Sequence, residues 1–95
     1  MTFQEIIKSC PTVDYSSIYV FIGEDCVWDY KEGDKSIMLI SDQPCIDDEK
    51  VTLAELINYS KELETPEDFL TLECEYERQE LNSFEWLENK LILSF

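Results

Sequence analysis

Apolar and polar residues alternate without a break from Leu70 to Glu77: Leu70, Leu72, Cys74 and Tyr76 stand against Thr71, Glu73, Glu75 and Glu77. A period of two held over eight residues predicts a β-strand with one buried and one open face. The open face is then a row of glutamates about 6.6 Å apart, with Glu80 just beyond it. Like charges so placed repel one another unless a cationic surface meets them.

The rest of the chain divides by the same test. Thr2 with Glu5 forms a capping-box pattern ahead of Phe3, Ile6, Ile7 and Cys10 at helical spacing, and Pro11 ends the run, so a short helix is expected over Phe3 to Ser9. Ser16 to Ile22 is β-branched and aromatic, Gly23-Glu24-Asp25 interrupts it, and Cys26 to Tyr30 resumes, which predicts a hairpin. Lys31-Glu-Gly-Asp34 reads as a turn in which Gly33 supplies a positive φ, followed by a strand over Ser36 to Ile40. Three strands joined by tight turns predict a meander. Ser41 to Lys50 reads as an acidic loop.

Thr52 and Glu55 start a second helix over Leu53 to Leu63, whose stripe of Leu53, Leu56, Ile57, Ser60 and Leu63 should pack on the meander. A single turn at Thr65 to Asp68 precedes the alternating strand. Asn82 and Glu85 make a third capping pair, with Leu81 placed to staple against Trp86, so helix is expected over Ser83 to Glu88. Lys90 to Phe95 is either a closing edge strand, which could pair with a second chain, or an extension of that helix. The fold class is therefore α+β: an antiparallel sheet of four strands, or five with the last segment, and two to three short helices in the order αβββαβα(β).

Composition changes this picture in one respect. Ninety-five residues suit a single domain, and 44% hydrophobic with 13% aromatic residues suffices for a packed core. Yet 7 Lys and Arg against 22 Asp and Glu leave a net charge of −15. That is well beyond the magnitude of about 2 to 8 that suits a small soluble domain. Such a field repels nucleic acid and anionic membranes and steers the chain toward basic surfaces. Residues 1 to 15 carry a single lysine and no apolar core of signal-peptide length, and no apolar run approaches a membrane span, so the cytoplasm is the expected location. Cys10, Cys26, Cys45 and Cys74 are expected to be reduced there.

Little in the chain suggests catalysis. Without histidine, the usual general base at neutral pH and the Ser-His and Cys-His nucleophile pairs are missing. Two glycines, Gly23 and Gly33, cannot build a phosphate-cradling loop. The cysteines lack paired zinc-ligand spacing, and Asp25, Asp29 and Asp34 lack the order of a calcium loop, so no metal or cofactor is expected. Trp28, Tyr30, Phe84 and Trp86 read as packing residues, Trp28 and Tyr30 with the alternative of interface anchors.

The carboxylates remain. Their spacing along a strand is of the same order as that of neighbouring phosphates on a nucleic-acid backbone. Glu73, Glu75, Glu77 and Glu80 are candidates for one acidic ridge. Asp47, Asp48 and Glu49, with Glu24, Asp25 and Asp29 of the first hairpin, are candidates for a second.

In size, charge and lack of catalytic residues the chain resembles the small acidic inhibitors that phages direct against bacterial defence nucleases, the anti-CRISPR proteins and other DNA mimics. The segment Asp34-Lys-Ser-Ile-Met-Leu-Ile-Ser-Asp-Gln-Pro44 is similar to a strand and turn of the phage uracil-DNA glycosylase inhibitors, a resemblance that implies a pocket lined by Met38, Leu39 and Ile40. The expectation is a stoichiometric inhibitor, monomeric or homodimeric, that binds a basic nucleic-acid-binding protein without binding nucleic acid or membrane itself. An immunity protein or antitoxin against a basic nuclease toxin, and an acidic adaptor, are the alternatives.

Overall fold

The computed structural model describes residues 1–41, 50–66, 68–75 and 80–95. The chain is α+β with two mixed sheets. Its elements are α1 (Phe3–Lys8), a 3-10 turn (Tyr15–Ser17), β1 (Tyr19–Ile22), β2 (Asp25–Cys26), β3 (Asp29–Glu32), β4 (Ser36–Ile40), α2 (Leu53–Ser60), β5 (Thr71–Cys74), β6 (Ser83–Leu87) and β7 (Lys90–Ser94). A four-stranded sheet runs β2-β1-β7-β6 and a three-stranded sheet runs β3-β4-β5.

Both helices begin as their caps dictate. The Thr2 hydroxyl accepts from Glu5 N–H while the Glu5 carboxylate accepts from Thr2 N–H, and Thr52 accepts from Glu55 N–H at 3.3 Å. Phe3 N–H donates to Leu70 C=O at 2.8 Å, which ties α1 to the segment entering β5. The α2 stripe buries Leu53, Leu56 and Ser60, and the helix ends at Ser60, short of the expected Leu63.

The single meander is replaced by a change of sheet. The β1–β2 and β3–β4 hairpins form, yet they belong to different sheets. Val27 N–H donates to Val20 C=O at 2.9 Å in the first, and Trp28 N–H donates to Ile40 C=O at 3.0 Å in the second. Val27 itself is fully buried, so the chain crosses through the core at that residue. The sheets are mixed and not antiparallel, because β5 returns parallel to β4 and β7 returns parallel to β1. Turn signals predict hairpins, but they carry no information on such long-range pairings.

The helix expected over Ser83 to Glu88 is a strand. Its exposed residues alternate with half-buried Phe84 and Trp86, and it pairs antiparallel with β7 from Ser83↔Ser94 to Leu87↔Lys90. A two-residue loop joins them, with Glu88 at φ 47°. Asn82 N–H donates to Ser94 C=O at 2.8 Å, so the residue read as a helix cap extends a ladder. β7 is consequently interior, held by β1 on one side and β6 on the other, and β6 is the edge.

The β3–β4 turn also differs. Its left-handed residue is Lys35, at φ 56°, and Gly33 is not in that region. Gly33 is needed for close approach instead, since a Cβ there would collide with Ser36 Oγ. Cys26 is disulfide-bonded where reduced thiols were expected, while Cys10 and Cys74 are free. Spacing along the chain says nothing of which sulfurs fold together.

One core joins the two sheets: Val20, Leu91 and Leu93 of the larger and Ile37, Leu39 and Leu72 of the smaller belong to the same buried cluster as Phe3, Ile6, Leu53 and Leu56. Among the described residues no helix is long and apolar enough to cross a membrane.

Candidate protein-binding surface

The alternation that predicts β5 is realised side chain by side chain. Leu70, Leu72 and Cys74 are buried, at 1%, 1% and 5% exposure, and Thr71, Glu73 and Glu75 are half-buried on the other face. Pairing register then decides what stands beside the glutamates. Met38 lies opposite Lys31 on one side and Glu73 on the other, and Asp29 lies opposite Ile40. Partners in register share a face. The outward face of the three-stranded sheet therefore carries Asp29 and Lys31, Met38 and Ile40, and Glu73 and Glu75.

This face is two half-buried apolar residues between flanking charges. Lys31 Nζ reaches across β4 to Glu75 Oε1 at 2.7 Å, the one ion pair formed between described residues. With side-chain exposures of 53% and 29% it is largely solvated and weak. Glu73 lies toward the turn, where a Cβ on Gly33 would stand 3.6 Å from its Oε2. Leu39 is buried on the inner face, so Met38, Leu39 and Ile40 do not line one pocket.

The structure distributes the remaining candidates. Glu24 is exposed in the β1–β2 turn and Asp25 at the start of β2 in the larger sheet, whereas Asp29 starts β3 of the smaller, so they do not form one hairpin surface. Glu80 is exposed ahead of β6. Asp47, Asp48, Glu49 and Glu77 lie outside the described residues.

Sequence reasoning missed an acidic and aromatic corner where β3 meets α2. The Tyr30 and Tyr59 rings meet edge to face, with centroids 4.8 Å apart. Burial, and then the carboxylates of Glu55 and Asp29 ahead of Tyr59 and Glu62, push the Tyr30 phenol above its ordinary value. Glu55 and Tyr59 fall at i and i+4 on α2, and Glu62 follows at i+7 just past its C-cap, a spacing that was in the sequence. The pairing of Tyr59 with Tyr30 was not, because that requires the tertiary fold. Tyrosine faces beside carboxylates suit a guanidinium or ammonium group, which can stack on the ring while pairing with the acid.

Comparison with protein-family models, with curated proteins and with solved structures finds no match for this chain.

Proposed function

We propose that the protein is a non-catalytic, stoichiometric inhibitor that presents carboxylates to a basic nucleic-acid-binding protein and so blocks its access to DNA or RNA. Within that class, a phage-encoded anti-CRISPR or related anti-defence protein fits best. The observation that carries the reading is the position of Glu73 and Glu75 on the open face of an edge strand, anchored from behind by Leu70, Leu72 and Cys74. Charges on a strand so held keep their backbone spacing, so that binding has only side-chain rotamers left to order. Glu55, Glu62, Tyr30 and Tyr59 extend the acidic surface around the β3 edge.

Glu73, Glu75 and Glu77 changed together to Gln bring the charge from −15 to −12. The triple variant should bind its target at least about tenfold more weakly, mostly through slower association, with a shallower dependence on salt. The target is found by capture from host lysate at low and moderate salt, followed by elution with excess duplex DNA or RNA. An unchanged affinity for the eluted protein would refute the ridge.

The reading places the protein in the cytoplasm beside its target, where a reducing thiol pool would meet the Cys26 disulfide. Inhibition must then survive reduction, so assays with and without dithiothreitol should agree.

A further inference from the structure

The acidic surface has an exception where the two helices meet. A hollow of about 200 Å³ opens there, lined by Phe3, Gln4, Ile7 and Lys8 from α1, Ile57, Ser60 and Lys61 from α2, and Leu70. Phe3 and Leu70 are buried at 2% and 1% exposure and form its floor, with Ile7 and Ile57 half-buried in its wall. Asp and Glu make up 22 of the 95 residues, yet among the described residues none lines the hollow, which instead carries two of the seven basic residues. Neither lysine forms an ion pair with a described residue.

Lys8 in the last turn of α1 and Lys61 at the C-cap of α2 have an ordinary role as well, since a cation complements the partial negative charge of a helix C-terminus. That role does not require both ammonium groups to border one apolar hollow, nor that the described lining of the hollow be free of acids. We propose that this hollow is a binding site for a small amphiphilic carboxylate, with a compact aromatic or branched body on the Phe3 and Leu70 floor and its anionic end between Lys8 and Lys61. The volume is below the range of about 300 to 1,000 Å³ typical of drug-sized ligands, which limits the occupant to fragment size. Discrimination rests on charge: on a chain of net charge −15 an anion is repelled everywhere that lysines do not locally outweigh the field. This site is independent of the acidic face and of the inhibitory reading.

The test is a titration of the full chain with 4-methylbenzoate and, separately, with the neutral 4-methylbenzyl alcohol, followed by methyl chemical shifts. The carboxylate should produce saturable shifts at Ile7, Ile57 and Leu70 and bind at least tenfold more tightly than the alcohol. Lys8→Gln and Lys61→Gln should each weaken it threefold or more, and Lys90→Gln should leave it unchanged. Amide spectra of the three variants report that each still folds. Equal affinity for acid and alcohol, absence of saturable shifts, insensitivity to both Lys8→Gln and Lys61→Gln, or an equal loss with Lys90→Gln would each overturn the proposal.

Discussion

The two sheets are built alike and finished differently. Each has an antiparallel hairpin, β1–β2 or β3–β4, whose inner strand pairs in parallel with a strand from the second half of the chain. On the four-stranded sheet, Lys90 lies 5.1 Å over the Phe21 ring and Lys50 5.6 Å over the Tyr19 ring. Aromatic faces there already hold cations of the chain itself. On the three-stranded sheet, Asp29, Glu73 and Glu75 share the open face with a single lysine, and Tyr30 and Tyr59 stand among carboxylates. Among the described residues, the larger sheet covers aromatic faces with the chain's own lysines, whereas the smaller pairs Lys31 with Glu75 and leaves Asp29 and Glu73 without an ion pair, which is why the binding proposal rests on the second.

The comparison assumes that the sheets share one core, and this is where the largest effects are expected. Leu91 in β7 and Leu39 in β4 are both fully buried. Leu91→Ala and Leu39→Ala should each destabilise the whole molecule by about 2–5 kcal/mol. Tryptophan fluorescence and far-ultraviolet circular dichroism should give coincident urea transitions in both variants. Two separated transitions would mean that the sheets fold as independent units.

What the chain revealed in advance follows the range of the interactions involved. Caps at Thr2 and Thr52 and the alternation at Leu70 to Glu75 are local, and they appear where expected. Asn82 to Glu85 is the instructive failure. Its capping pattern is real, but alternation through Phe84 and Trp86 and the ladder to β7 outweigh it, since tertiary pairing overrides a cap's contribution of about 1 kcal/mol. The crossing at Val27 and the parallel returns of β5 and β7 left no mark on local pattern at all. For the site, the outward placement of Glu73 and Glu75 was legible because it follows from period two, and the Tyr30–Tyr59 corner was not because its halves lie 29 residues apart.

The turns of the two hairpins offer a comparison of opposite sign. The larger sheet uses Gly23 at φ 60°, the smaller uses Lys35 at φ 56°. A Cβ at Gly23 would meet nothing within 4 Å, so the cost of Gly23→Ala comes from backbone conformation alone, about 1–2 kcal/mol. Lys35→Gly relieves the same strain while adding freedom to the unfolded chain, for a net gain of up to about 1 kcal/mol. Chemical denaturation of both variants checks the pair. Two changes of the same sign would show that local conformation is not what distinguishes these turns.

Removing the one lysine from the open face should matter more to binding than to folding. Lys31→Gln breaks the pair with Glu75 and should lower stability by at most about 1 kcal/mol, since both partners are substantially solvated. It also frees Glu75 and takes the charge from −15 to −16. Association with a basic partner should therefore quicken at low salt, the reverse of the glutamate variants, as read by stopped-flow mixing at two ionic strengths.

The smallest effect isolates the corner at β3 and α2. Burial and then the charges of Glu55 and Asp29 raise the Tyr30 phenol above its usual value near 10. The unfolded chain therefore loses this proton first as pH rises. Stability from Tyr30 is fully present below about pH 10 and falls away between there and the raised folded value, because in that window the native state binds more protons than the unfolded one. Tyr30→Phe cannot ionise, so its urea midpoint should drop less between pH 9 and pH 11 than that of the unaltered chain, while lysine titration, common to both, cancels in the difference. Glu55→Gln removes the first of the charged causes and should narrow that difference without abolishing it, since burial is the larger cause. Equal alkaline losses in all three proteins would mean that carboxylates do not crowd Tyr30, and the acidic surface would then end at the β5 face.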